Sequence, residues 1–156
     1  MDAVELGFWS GNWLWGLPLI VLNVVIHVVG LALISERVVG VLGGTMKRRH
    51  FVPKFAVVMS VIVLLATILH AAEAFTWAVV YRLLGALPDN KSAMLYSLSA
   101  ITTYGHAQIF LEDHWKMLGA LEALNGMLLF GLTTAFLFAT IEKVWLPKSR
   151  ERPPKP

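Results

Sequence analysis

The chain contains no cysteine, which excludes a disulfide framework and any thiolate-bound metal or cluster. Charge is scarce as well: 15% of the 156 residues are Asp, Glu, Lys or Arg, while 57% are hydrophobic. A water-soluble domain of this size needs a more polar surface than that. The net charge of +3 is not an even basic face, and no basic-aromatic pattern points to nucleic acid. No segment carries the repeated arginines of a voltage-sensing helix. No clustered nucleophile, metal-ligand set or glycine-rich phosphate loop speaks for an enzyme, so neither an enzyme substrate nor a cofactor is expected. Residues 1–12 hold Asp2 and Glu5 but no Lys or Arg, unlike a cleavable signal peptide with its basic start. The first helix is therefore expected to be retained.

What the chain has instead is long apolar runs. The first covers Leu14 to Leu42, with Trp9, Trp13 and Trp15 at its start, where interfacial aromatics belong. Pro18 fits a first helical turn, where its missing N–H has no helical partner. Gly43-Gly44 is a stop, followed by Lys47-Arg48-Arg49-His50. The second run covers Pro53 to Leu84 and the third Met117 to Val144. Each exceeds the ~20 residues a helix needs to cross a bilayer, so tilt or overhang is expected. Lys47, Arg48, Arg49 and Lys54 mark one cytoplasmic loop, and Lys143, Lys148, Arg150, Arg152 and Lys155 a cytoplasmic tail. Three spans with the N-terminus outside and the C-terminus inside satisfy both clusters. The organisation is then residues 1–50, an N-terminal transmembrane helix and basic loop that also meets anionic lipid heads; residues 51–146, a membrane core; and residues 147–156, a polar tail expected to be disordered.

Between the second and third runs, Gly85 to Asn90 breaks the helix and Ser92 to Thr102 is too short to span. It suits a re-entrant helix, allowed at membrane depth only where protein or a water-filled cavity surrounds the backbone that follows. That helix leads into Ser99-Ala100-Ile101-Thr102-Thr103-Tyr104-Gly105-His106-Ala107. This stretch resembles the pore loop of tetrameric potassium channels, whose filter reads Thr-Val-Gly-Tyr-Gly. Here the filter reads Thr103-Tyr104-Gly105-His106-Ala107. The resemblance extends to Ala93-Met94-Leu95-Tyr96-Ser97-Leu98 as pore helix. His70, Glu73, Trp77 and Tyr81 resemble the outer helix, and Trp115 with Leu118 to Gly126 the inner helix, of small bacterial two-transmembrane channels. The first helix is an addition to that pattern, which implies that residues 51–146 are a pore domain of outer helix, pore helix, filter and inner helix.

The resemblance implies that Thr102, Thr103, Tyr104, Gly105, His106 and Ala107 line an ion path, with a monovalent cation held at Thr103, Tyr104 and Gly105. Rings of backbone carbonyls replace the ion's hydration water, and one loop supplies only a quarter of each ring. A homotetramer is therefore expected, passing a permeant monovalent cation, potassium first. Gly105 can adopt the left-handed conformation that turns a carbonyl inward. Ala107 stands where the family has its second Gly, His106 where it has Tyr, Tyr104 where it has Val, and Gln108 where it has Asp. Ala107 in the left-handed region would cost on the order of 1 kcal/mol. Inner cation sites are expected to persist and the outer mouth to differ.

Polar residues inside the runs are the remaining signal, because ionisable groups in a bilayer face protein or water. His70, Glu73, Trp77 and Tyr81 follow one another at three, four and four residues and share a helix face. His70 and Glu73 are spaced to pair, either as a strut behind the pore helix or as a buried pair that fixes packing. A metal site there lacks a further His or Cys nearby in sequence. Glu122 and Asn125 are expected to support the filter or to join helices by hydrogen bonds. Gly119, Gly126, Thr133 and Thr140 recur every seven residues, a stripe that permits close helix approach or lines an inner cavity. Within the resemblance, Gly126 is the first candidate for a gating hinge and Gly131 the second. Asn23 and His27 share a face of the first helix, as packing contacts. Glu112 and Asp113 would raise cation concentration at a mouth.

The expectation is thus an all-α membrane protein with three transmembrane helices and a re-entrant pore helix and selectivity-filter loop between the second and third. It would act as a passive, potassium-channel-like cation channel in a bacterial inner membrane, with lipid and its own copies as partners. Two alternatives are a weakly selective or sodium-permeable channel and a non-conducting scaffold derived from a channel.

Overall fold

A backbone surrounded by hydrocarbon must satisfy its own N–H and C=O groups, and a helix does so within one segment. The computed structural model describes residues 3–42, 51–105 and 108–150, with side chains described for residues 9–37, 52–105 and 108–143. Every regular element among them is helical: α1 (Ala3–Leu42), α2 (Phe51–Leu83), α3 (Asn90–Ile101) and α4 (Lys116–Arg150), the last preceded by a 3-10 turn at Asp113–Trp115. Three helices are long and apolar enough to cross a membrane, over Trp9–Arg37, Val52–Leu83 and Asp113–Lys143. The distribution of polarity is the reverse of a water-soluble protein. Leu14, Val21, Val25, Leu33, Val57, Leu64 and Ile68 are exposed, while Asn12, Asn23, His27, Glu73, Glu122 and Asn125 are buried. The chain is an integral membrane protein by this pattern.

α1 is not peripheral. It packs along both α2 and α4, which meet each other little, and α3 also bridges α2 and α4. Near α3 the core consists of Leu19, Trp77, Tyr81, Leu87, Leu111, Leu118 and Leu121. At the other end Leu31, Ile34 and Ile62 pack with Leu69, Phe136 and Leu137.

Two helix boundaries differ from the sequence expectation. α1 begins at Ala3 and Pro18 lies inside it, so Pro18 is not a first-turn residue. Its missing N–H costs the helix the bond to the Leu14 carbonyl, and contacts with α4 offset this. Asn12 Oδ1 accepts from the Leu118 N–H at 2.9 Å, and Asn12 Nδ2 donates to the His114 carbonyl at 2.6 Å. A side chain of α1 thus caps the start of α4, satisfying a donor that the helix cannot satisfy itself. Gly16 faces Leu118 and Leu121 so closely that a Cβ there would stand 2.5 Å from Leu121 Cδ1. α4 in turn runs through Pro147 to Arg150, past the point where a polar tail is expected. The Gly43-Gly44 stop, the Lys47-Arg48-Arg49 cluster and residues 151–156 lie outside the described residues.

Between α2 and α3 the chain turns sharply. Gly85 sits at φ 66°, with its N–H on the Arg82 carbonyl (3.2 Å) and the Ala86 N–H on the Tyr81 carbonyl (2.9 Å). This is the paired-bond helix stop that favours glycine. Arg82 Nη1 then donates to the Leu87 carbonyl at 2.5 Å and Nε to Asn90 Oδ1 at 3.0 Å. Asp89 caps α3 by accepting from the Ser92 N–H (2.9 Å) and the Ser92 hydroxyl (2.7 Å). These bonds hold the Asp89 carboxyl below the usual carboxylate range.

Candidate functional site

α3 has 12 residues, about 18 Å of helix, and cannot cross a bilayer. It is wedged between α2 and α4 by small contacts. Ser97 Oγ donates to the Ala74 carbonyl of α2 at 2.6 Å. On α4, a Cβ at Gly119 would stand 2.1 Å from the Tyr96 hydroxyl, and one at Gly126 would stand 1.9 Å from the Ile101 carbonyl oxygen. Two members of the seven-residue stripe therefore serve close approach of α3, and Thr133 serves a buried network described below. The stripe packs inside the chain at these three positions.

The loop leaves α3 through the same stop as Gly85 but with a different residue. The Thr103 N–H reaches the Ala100 carbonyl (2.9 Å) and the Tyr104 N–H the Ser99 carbonyl (2.9 Å). Thr103 occupies the left-handed position at φ 56°, unusual for a β-branched residue. The Thr102 hydroxyl donates back to the Leu98 carbonyl at 2.6 Å. Gly105 is also left-handed, at φ 75°, and among the described residues nothing lies within 4 Å of where its Cβ would be. Tyr104 is 85% exposed. Thr102 and Thr103 thus form a helix-stop turn at the end of α3. His106 and Ala107 lie outside the described residues.

Of the residues expected to support the loop, Glu122 bonds α3. Its Oε2 accepts from the Tyr81 hydroxyl of α2 at 2.6 Å, and its Oε1 is hydrogen-bonded with Ser97 Oγ. Glu122, Ser97 and Tyr81 are fully buried. Asn125 is also fully buried, and neither its Nδ2 nor its Oδ1 has a partner among the described residues. Gly131 faces open space.

His70 and Glu73 pair as their spacing suggests, Nδ1 to Oε2 at 3.1 Å, but their other partners lie on α1 and α4, not on α3. His27 Nδ1 stands 2.8 Å from Glu73 Oε1. The Nε2 atoms of His27 and His70 both stand 3.1 Å from the Thr133 hydroxyl oxygen. Glu73, His27, Thr133 and His70 therefore close a ring of four hydrogen bonds across three helices. Four bonds need four hydrogens, and Thr133 brings one. The rest are supplied either by an imidazolium and an imidazole beside an ionised Glu73, or by two imidazoles beside a protonated Glu73. The two forms differ by a proton moved along one bond, and each is neutral overall. A neutral, fully bonded ring is what the interior of a membrane bundle tolerates.

His27, His70 and Glu73 also offer three ligand atoms within 4.8 Å of one another, as a metal site requires. An ion there would compete with the ring for the same lone pairs. Sequence spacing joins only His70 and Glu73, because His27 comes from a distant helix. Asn12, Ser97 and Thr133 were likewise missed as partners. Thr133 has one legible signal, a polar side chain inside an apolar run, whereas Asn12 and Ser97 lie outside the three runs.

No protein-family model, no curated protein and no solved structure matches the chain.

Proposed function

We propose that the chain is one subunit of a homotetrameric, passive cation channel of a bacterial plasma membrane, with its N-terminus outside and its C-terminus cytoplasmic. The observation that carries this reading is α3. A helix too short to span is held by buried bonds between two helices long enough to do so. It ends in an exposed Thr102-Thr103-Tyr104-Gly105 turn with two left-handed residues. An open turn of backbone at that depth needs a water-filled cavity or more protein around it, and a fourfold pore supplies both. Leu95 and Leu98 of α3 and Leu124, Met127 and Leu128 of α4 stay exposed in one chain, as surfaces for neighbouring copies or lipid. No cofactor beyond the permeant ion is part of the proposal. The departures at Tyr104, His106 and Ala107 favour a weakly selective or sodium-permeable channel as the second reading.

The test is purified protein in lipid, with mass measurement and ion flux in liposomes under opposed potassium and sodium gradients. A tetramer with a potassium reversal potential supports the first reading, and a reversal potential near zero the second. A tetramer without flux would leave a scaffold, and a monomer or dimer would overturn the channel.

A further inference from the structure

We propose that Glu122 is a carboxylic acid, not a carboxylate, in the folded protein at neutral pH, and that it acts as an uncharged positioning residue joining α2, α3 and α4. Three oxygen–oxygen contacts meet there. The Tyr81 hydroxyl reaches Glu122 Oε2 at 2.6 Å, Ser97 Oγ reaches the Ala74 carbonyl at 2.6 Å, and Ser97 Oγ also contacts Glu122 Oε1. Each contact needs one hydrogen between the two oxygens. Tyr81 supplies one, Ser97 supplies one, and the Ala74 carbonyl has none. With an ionised Glu122, Ser97 can serve Glu122 or Ala74 but not both, and two lone-pair oxygens would face each other without a proton. With the proton on Oε1, Glu122 donates to Ser97, Ser97 donates to Ala74, and Tyr81 donates to Oε2. Every contact is then filled.

The surroundings agree. Glu122 is fully buried, and its partners are hydroxyls rather than cations. Among the described residues, the titratable groups facing it are Tyr81 from α2 and Tyr96 from α3. From α1, Gly16 and Leu19 pack at this level, neither of them titratable. A buried carboxylate without a counter-charge is expensive, and such a group neutralises instead. Glu73 differs, because two imidazoles flank it. The consequence for a pore rests on the channel reading. Ser97 sits on the helix that carries the Thr102–Gly105 turn, so a neutral acid would fix the depth and rotation of that helix. It would do so without placing a fixed charge behind the ion path.

The protonation state can be read without any assumption about function. Infrared spectra of the parent in lipid at neutral pH should contain a protonated carboxylic C=O band that disappears in Glu122→Gln. A Glu122→Gln spectrum that loses only carboxylate intensity overturns the proposal. The amide can make both bonds, donating to Ser97 and accepting from Tyr81. Glu122→Gln should therefore melt with the parent, while Glu122→Leu melts lower. A Gln variant that melts with the Leu variant overturns the positioning role. If the band behaves as expected but the parent passes no ions, the channel reading fails and the protonated Glu122 stands.

Discussion

Gly126 faces Ile101 so closely that a Cβ on Gly126 would stand 1.9 Å from the Ile101 carbonyl oxygen. The last turn of α3 rests on the backbone of α4 at this point, with no side chain between. A methyl group there must push the two helices apart. Gly126→Ala should lower stability by about 1–3 kcal/mol through overpacking and, under the channel reading, reduce flux. Gly131→Ala meets nothing within 4 Å and should raise stability by about 0.5–1 kcal/mol through helix propensity alone. Thermal melts of both variants check the pair. A Gly126→Ala protein as stable as the parent would deny the contact. A Gly131→Ala protein that is more stable yet slower to conduct would mark Gly131 as the hinge.

The ring of His27, Glu73, His70 and Thr133 makes an ordered prediction. Glu73→Ala leaves two histidine Nδ1 atoms without a partner, each loss worth about 1–3 kcal/mol. Thr133→Val keeps the shape but removes the shared hydroxyl between the two Nε2 atoms. Asn23→Ala deletes one acceptor of the Thr76 hydroxyl, which also faces the Glu73 carbonyl at 2.7 Å, together with an Nδ2 that has no partner. Melting temperatures should fall most for Glu73→Ala, less for Thr133→Val and least for Asn23→Ala. His27→Ala and Thr133→Val should be less than additive, since both break the same ring. Equal losses for Glu73→Ala and Asn23→Ala would rule out the ring as the tie between α1 and the other helices.

Thr103 and Gly85 fill the same position of the same helix stop, at φ 56° and φ 66°. A side chain in that conformation costs roughly 1–2 kcal/mol. Thr103→Gly should therefore raise the melting temperature and Gly85→Ala should lower it. Nothing lies within 4 Å of a Cβ at Gly85, so the second change reads backbone strain alone. Opposite shifts of similar size are expected. A Thr103→Gly protein that melts lower would mean that the Thr103 side chain contributes more than its strain removes.

Much of this was legible in the sequence, and the reasons are specific. The three apolar runs and the short helix between them could be placed because length and hydropathy decide what crosses a bilayer. His70 and Glu73 could be paired because both lie on one helix at a fixed spacing. His27 could not join them, since its contact with Glu73 depends on the depth and rotation of α1 against α2. Pro18 was misplaced for a related reason. Local rules put proline in a first turn, but Asn12 and Gly16 hold an earlier start of α1 against α4. Gly126 was visible as a small residue, while its partner Ile101 was not. The loop reading at His106 and Ala107 has no structural counterpart among the described residues.

Asp89 gives the start of α3 a pH dependence whose sign follows from its bonds. The Ser92 N–H, and after it the Ser92 hydroxyl, hold its carboxyl below the ordinary range. A lowered folded value means that the stabilisation is fully present above the unfolded value of ~3.9. It is lost as pH falls through the folded value. Protection of the Ser92 amide from hydrogen exchange should therefore decline on strong acidification in the parent. Asp89→Asn keeps an acceptor that does not titrate, so its protection should stay constant. Parallel acid profiles for the two proteins would remove Asp89 as the cause.

The remaining prediction concerns His106 and Ala107 and rests on the resemblance to potassium-channel filters. Glycine at 107 would remove a side chain from a position where the resembled filter uses none. Tyrosine at 106 would restore the aromatic residue of that filter. The double variant His106→Tyr, Ala107→Gly should therefore discriminate potassium from sodium more strongly than the parent. A histidine changes charge between about pH 5 and 8, and a tetramer carries four copies of His106. Mild acid should place positive charge near the outer mouth and reduce cation flux in the parent, with a smaller effect in the double variant. Reversal potentials and flux at neutral and mildly acidic pH decide it. If parent and double variant show the same ion preference and the same acid response, neither residue controls permeation. The likeness of Thr103–Ala107 to a potassium filter would then not extend to its outer end.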